Sequence, residues 1–240
     1  MNKINKKDII DFLKDLIIIA VVVLIIRTFI AEPFQISGQS MYKSYYDKDF
    51  IIVDRFSYLD IPWIKHWEVK RWDVIVFKPH VSKKREYYIK RVIWLPWDKI
   101  KFENWEVYLQ KEWKWPFLKI DEPYLDKENK GHTYVRWIEK EFDVPKWEYF
   151  AMWDNRNHSD DSRTCFDISC SYSPRDSYIP KKDIVWKVFL DLWYFNIKKL
   201  SFIQPNLWID TKPRWLSSPS HFDYKNHFIN TSTGILNKTN

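Results

Sequence analysis

The pattern of hydrophobic and polar positions changes once along the chain, close to its start. "LIIIAVVVLII" runs from Leu16 to Ile26 without a polar side chain, 11 residues in all. That is short of the roughly 20 residues that cross a bilayer. Taken from Phe12 to Ala31 the stretch has 20 positions, with Lys14, Asp15 and Arg27 near its ends. Lysine and arginine at such positions can snorkel to the headgroups. The pattern predicts one short transmembrane helix over 12–31, rather than a buried core helix or a cleaved leader. No small-residue exit of the kind that marks cleavage follows in "RTFIAEPF". Lys3, Lys6 and Lys7 precede the helix, partly offset by Asp8 and Asp11. Positive-inside counting therefore puts residues 1–11 in the cytoplasm and the body outside it.

Beyond residue 31 the period shortens to two. "FIIVDRFSYL" (50–59), "DVIVFKP" (73–79) and "REYYIKRVIWLP" (85–96) are β-branched and aromatic runs bounded by turn residues, and each predicts a strand. "DKIKFENWEVYLQ" predicts a hairpin turning at Glu103–Asn104–Trp105. Residues 106–146 are polar and turn-rich and predict an inserted β subdomain. "IPKKDIVWKVFLDLWYF" (179–195) predicts a last strand or pair of strands. From about residue 200 the periodicity is lost, and 200–240 is expected to be a loose tail. The body is mainly β: a first part over 32–105, the insert, and a second part over 147–199.

Composition adds an anomaly. The chain of 240 residues has 15 tryptophans and 3 glycines. About 17 glycines would be ordinary at this length. Tryptophan falls in turn contexts such as "LPWDKI", "ENWEVY", "PKWEYF" and "AMWDN", where a residue of φ > 0 or without a side chain is wanted. One codon, UGA, read as glycine in the source and as tryptophan here, explains both counts. A membrane-gripping, tryptophan-rich protein explains only one of them. The net charge of +7 favours anionic partners, phospholipid headgroups among them. With the tryptophans read as glycine, the aromatic interleaving that would suggest nucleic acid disappears.

The chemistry is narrow. The histidines at 66, 80, 132, 158, 221 and 227 show no metal-ligand spacing. No phosphate-cradling glycine loop is present, even after glycine replaces tryptophan. His158 beside Ser159 and Asp161 has the residue types of a triad, but sequence neighbours rarely form one. Cys165 and Cys170 either bridge, if the body is extracytoplasmic, or stay separate thiols. Ser40 in "SGQSM" and Lys90 in "YYIKRV" remain. Alternation puts Tyr88, Lys90 and Val92 on one face of a strand. A lysine buried there would lose its charge and could take a serine proton. An exposed edge lysine is the bland alternative.

Longer segments carry a resemblance. "IRTFIAEPFQISGQSM", "RWDVIVF", "YYIKRVIWLPWDKI", "VPKWEYFAMWDNRNHSDDSR" and "IPKKDIVWKVF" resemble, in order and rough spacing, the motifs of bacterial type I signal peptidases, which are Ser-Lys serine proteases. At 72, 94, 97, 147, 153 and 186 tryptophan stands where that family has glycine. The resemblance implies a membrane anchor followed by an antiparallel β-sheet or partly open barrel. It implies Ser40 as nucleophile, Lys90 as general base and Ser159 orienting the lysine amine. The backbone N–H of Ser40 would face the oxyanion, while Gly38 lacks the hydroxyl donor of some members. Asp154, Asn155, Arg156, Asp161 and Arg163 would support the site, with Asp161 paired to Arg163 and Arg156 as a further partner. Phe34, Met41, Tyr42 and Tyr88 would meet substrate or membrane. The partners implied are signal-peptide-bearing preproteins, the bilayer and a nearby secretion channel, with no cofactor and no nucleic acid. After Met41, Tyr42 and Lys43 replace the family's usual x-Pro, which loosens that turn. Two other readings are a catalytically silent membrane-anchored β module and a Ser-Lys protease specialised for pilin or transfer proteins.

Overall fold

The computed structural model describes residues 5–56, 68–80, 86–113, 116–122, 124–135, 141–157, 160–166, 177–196, 198–204, 209–215 and 228–230. A helix α1 (Lys6–Ile25) opens the chain, capped where the Asn5 side chain accepts from the Lys7 N–H. A π-helical turn, Ile26–Ile30, extends it, and Ala31 already belongs to strand β1 (Ala31–Gln35). The helix thus starts six residues earlier than the expected 12–31, because the mostly charged residues 6–11 are helical too, and with its π-helical turn it ends at Ile30. Among the described residues no helix is long and apolar enough to cross a membrane, so the expected span is not shown.

The body is antiparallel β. Its main sheet runs β1, β2 (Phe50–Asp54), β11 (Ile184–Asn196), β3 (Val74–Phe77), β4 (Tyr88–Trp94), β9 (Glu148–Met152) and β10 (Ile179–Pro180). β1 and β10 stand at opposite ends of this path, so the sheet is open. A second sheet is built from β5 (Lys99–Glu103), β6 (Glu106–Gln110), β7 (Leu118–Ile120), β8 (Glu141–Asp143) and β15 (Phe228–Asn230). This second sheet takes in β5, ahead of residue 106, together with strands of the expected insert. The residues expected as a loose tail supply β15 and three more short strands, β12 (Ser201–Gln204), β13 (Ile209–Thr211) and β14 (Arg214–Trp215).

Strand β3 shows why the site lies at the centre. All four of its residues, Val-Ile-Val-Phe, are buried, so the strand is covered on both faces. Val74 and Val76 pack with Met41, Tyr45 and Val188. Ile75 and Phe77 point the other way, to Val92, Ala151 and Phe166. Each such side chain contributes about 1.5–3 kcal/mol by burial. Ile75 pairs with Lys90 on β4, which carries the lysine into the same interior. A third core cluster joins the two sheets through Ile93, Trp94, Ile100, Phe102 and Phe150.

The tryptophans do not behave as tryptophans. Of the ten in the described residues, six have positive φ: Trp72, Trp97, Trp105, Trp113, Trp147 and Trp193. The left-handed region costs a residue with a Cβ about 1–2 kcal/mol and costs glycine nothing. At Asn104–Trp105 both residues are left-handed, φ 50° and 66°, in a two-residue turn closed by the Glu103–Glu106 pair. That geometry is the one Asn-Gly supplies.

Candidate active site

Ser40 lies in the segment between β1 and β2. The backbone closes on itself there: the Ile36 N–H donates to the Asp49 carbonyl at 2.9 Å and the Lys48 N–H to the Ile36 carbonyl at 2.8 Å. Gly38 sits at φ 97°, and its N–H donates to Asp47 Oδ1 at 2.7 Å. No heavy atom lies within 4 Å of where its Cβ would stand. Glycine is therefore needed for its backbone conformation, not for space. Asn155 holds the segment from outside. Its N–H donates to the Ser40 carbonyl at 2.9 Å, and its Nδ2 donates to the Gln39 carbonyl at 3.1 Å.

A cavity of about 930 Å³ opens at this point, lined among others by Phe34, Ser40, Val76, Tyr88, Trp153 and Asn155. Lys90 does not reach it. Its side chain is fully buried, and Nζ has no hydrogen-bond partner among the described residues. Aromatic rings surround the amine instead: Trp153 at 3.9 Å, Tyr88 at 4.6 Å, Phe166 at 5.1 Å and Phe77 at 5.5 Å. Burial drives its pKa well below the ordinary lysine value, and Asp161 and Asp160 only partly oppose this. The indole of Trp153 lies over the amine and also lines the cavity that Ser40 lines. Its Nε1 has no partner among the described residues, whereas a buried indole N–H normally finds one.

The turn after β9 is held by charge. Asp161 pairs with Arg163 at 2.8 Å and accepts the Trp153 N–H at 3.2 Å. Burial pushes the Asp161 carboxyl up, but Arg163 outweighs it and holds the acid below its usual range. Arg163 also donates to the Arg156 carbonyl at 2.7 Å. Arg156 itself turns away, to Glu122 of the insert at 2.5 Å. Asp154 takes a two-point contact from Arg91, Nε to Oδ1 at 2.9 Å and Nη2 to Oδ2 at 2.7 Å. These two contacts were not expected from the sequence, although Arg91 follows Lys90 directly and alternation turns it to the opposite face.

Other residues fall elsewhere. Met41, expected at substrate or membrane, is 1% exposed and belongs to the core. Tyr42 packs edge-on against Tyr46. Cys165 is held in a disulfide. Ser159, His158 and Cys170 lie outside the described residues. Asp49, which sequence reasoning passed over, is fully buried under the Ser40 segment. Burial pushes its carboxyl up to about 7, against the Tyr46 N–H that favours the anion.

A mainly antiparallel β body with a serine-lined cavity fits a hydrolase of the serine class. Comparison with known proteins narrows the class. The family model for signal peptidase, peptidase S26, matches residues 9–193. Signal peptidase I P of Bacillus subtilis subsp. natto is 32% identical over 167 residues, covering 67% of this chain and 82% of its own. Signal peptidase I of Pseudomonas aeruginosa is 30% identical over 215 residues, covering 79% of this chain and 74% of its own. A crystal structure of a signal peptidase I from Enterococcus faecalis aligns with 50% of this chain and 97% of its own, at 21% identity and a TM-score of 0.35. The chain belongs to the signal peptidase family, peptidase S26. Within it the chain is a serine peptidase of the signal peptidase I type.

Proposed function

We propose that the protein removes N-terminal signal peptides from exported preproteins, at the outer face of the cytoplasmic membrane, with Ser40 and Lys90 as its dyad. The observation that carries this reading is the lysine: an amine fully buried on a central strand, among rings, with its pKa driven down. A neutral amine is a competent base near neutral pH, where an ordinary lysine is not. Ser40 Oγ attacks the scissile carbonyl and its proton passes to Lys90 Nζ. The tetrahedral intermediate collapses to an acyl-enzyme as that proton goes to the leaving amine. Water, deprotonated by Lys90, then releases the product and frees Ser40. The Ser40 N–H donates to the developing oxyanion, and Ser159 aims the amine. Extended substrate lies along the cavity wall, with small side chains before the cut.

Two further elements complete the reading. Ile17, Ile18, Ile19, Val23 and Leu24 of α1 are each about half exposed or more. A continuous apolar surface of that kind calls for a cover, and the lipid bilayer supplies it. The N-terminus then stays cytoplasmic and brings the catalytic body, and substrate from a nearby secretion channel, to the membrane surface. The tryptophans that stand for family glycines are glycines in the working enzyme. With glycine at 153 the indole over the amine is gone, and Lys90 opens towards the cavity that Ser40 lines.

One observation favours a silent binding module instead: with Trp153 as written, the amine is covered by an indole at 3.9 Å and does not line the cavity that Ser40 lines. Preprotein cleavage in vesicles tests the choice, using the chain with glycine at the six family positions. Cleavage that disappears in both Ser40→Ala and Lys90→Ala supports the dyad. Cleavage that survives in either variant removes it, and no cleavage by the glycine form supports the silent module.

A further inference from the structure

The family match ends at residue 193, yet the chain beyond it returns to the nucleophile segment. The Tyr194 hydroxyl donates to the Asp47 carbonyl at 2.5 Å. β14 pairs with β11, Arg214 opposite Asp191. From there Arg214 Nη2 donates to two acceptors at 2.7 Å each, the Ser44 carbonyl and Asp191 Oδ2. Its guanidinium lies over the Tyr45 ring at 5.0 Å and the Trp193 ring at 4.7 Å. Asp191 is fully buried, and its Oδ1 also accepts the Trp193 N–H at 3.0 Å.

We propose that Arg214 is a positioning residue for catalysis: residues 209–215, outside the family match, strap the Ser40 segment onto β11. The inference rests on Ser40 being the nucleophile. Its physical basis is a chain of contacts four residues long. Ser44 and Tyr45 are gripped by Arg214, and Tyr45 N–H donates to the Met41 carbonyl at 2.9 Å. Met41 is Ser40's neighbour and is locked in the core. On the other side Asn155 holds the Ser40 carbonyl. The nucleophile thus sits between two fixed points, one on the lysine side of the sheet and one supplied by the extension. Arginine suits the task because one planar fork serves a carbonyl and a carboxylate together while lying over the Tyr45 ring. A lysine ammonium cannot keep that geometry.

The test uses the full chain and two readouts. Hydrogen exchange is followed in peptides covering 37–49, with the β5–β6 hairpin as an internal control. Arg214→Ala should raise exchange in 37–49 about 10-fold or more and leave the hairpin unchanged. Arg214→Lys should restore only part of the protection. Unchanged exchange at 37–49, or an equal rise in both regions, overturns the proposal. In the cleaving form, Arg214→Ala should lower kcat about 10-fold or more with KM within about twofold. A parent-like kcat, or a rise in KM alone, also overturns it. Ser40→Ala is run alongside: persistent cleavage there refutes the nucleophile assignment while the exchange result still decides whether the strap exists.

Discussion

The Asn155 N–H donates to the Ser40 carbonyl at 2.9 Å, joining the turn after β9 to the segment between β1 and β2, 115 positions earlier in the chain. Its side chain adds a second bond, to the neighbouring Gln39 carbonyl at 3.1 Å. Main chain and side chain thereby fasten the serine segment to the turn after β9, the strand that pairs with the lysine's strand β4.

Asn155→Ala keeps the main-chain bond and removes the other. It should lower kcat about 10-fold, with a melting temperature within a few degrees of the parent, since one partly exposed hydrogen bond is worth about 1 kcal/mol. Steady-state cleavage beside a thermal melt checks this. An unchanged kcat would show that the Gln39 contact plays no part in positioning.

Lys90 should leave a mark on both rate and stability. Its folded pKa lies below the unfolded one, so the unfolded chain binds the extra proton. Stability conferred by this site rises with pH up to the unfolded lysine value and is lost as pH falls towards the folded one. The ascending limb of kcat/KM should lie well below the ~10.4 of a free lysine. Lys90→Met should abolish the rate and flatten the acid loss of stability, as followed by urea titrations across pH.

Asp49 works in the opposite sense. Its carboxyl is raised to about 7, so the folded chain holds the proton longer. The contribution is present below the unfolded aspartate value and declines as pH climbs towards 7. Asp49→Asn should keep the Tyr46 N–H contact and make the protein more stable than the parent above pH 7, but not at pH 4. Denaturant midpoints at the two pH values measure this.

The Arg91–Asp154 pair is buried at both ends. Removing one partner leaves an uncompensated charge, so Asp154→Ala should cost about 3–5 kcal/mol. Arg91→Met with Asp154→Leu should cost much less than the two singles added together. Double-mutant analysis of chemical unfolding provides the number.

Trp97, Trp105, Trp113 and Trp147 combine positive φ with exposure near one half. Glycine at each should stabilise the fold by about 1 kcal/mol, because strain is relieved and little apolar surface is lost. Trp215 is also exposed but lies in β14 without positive φ. Its change to glycine should bring no gain. Unfolding free energies of the five single variants test the pattern.

What the sequence made legible was local. The runs around 50, 74, 88 and 184 are β-branched and buried, so period and composition agree with the strands that form. The hairpin at 103–106 shows in two residues. Of the tryptophans in turn contexts, Trp97, Trp105 and Trp147 do prove left-handed, whereas Trp153 does not. Long-range pairing was not legible. Arg91 meets Asp154 across 63 residues, and Arg156 meets Glu122 rather than Asp161, because burial selects partners that spacing does not show. The strands beyond residue 200 are two to four residues long, too short to carry a period. Helix α1 begins within a charged stretch that hydropathy alone excludes. Met41 reads as a rim residue by its place after Ser40, yet its side chain fills the core.

The most direct test is to trap the acyl-enzyme on the chain with glycine at 72, 94, 97, 147, 153 and 186, by rapid acid quench with a preprotein substrate and peptide mass mapping. The account predicts one added acyl fragment on the peptide containing Ser40, absent when Lys90 is alanine and absent when Trp153 is restored. Acylation of a different residue, or equal trapping at Ser40 without Lys90, would contradict it.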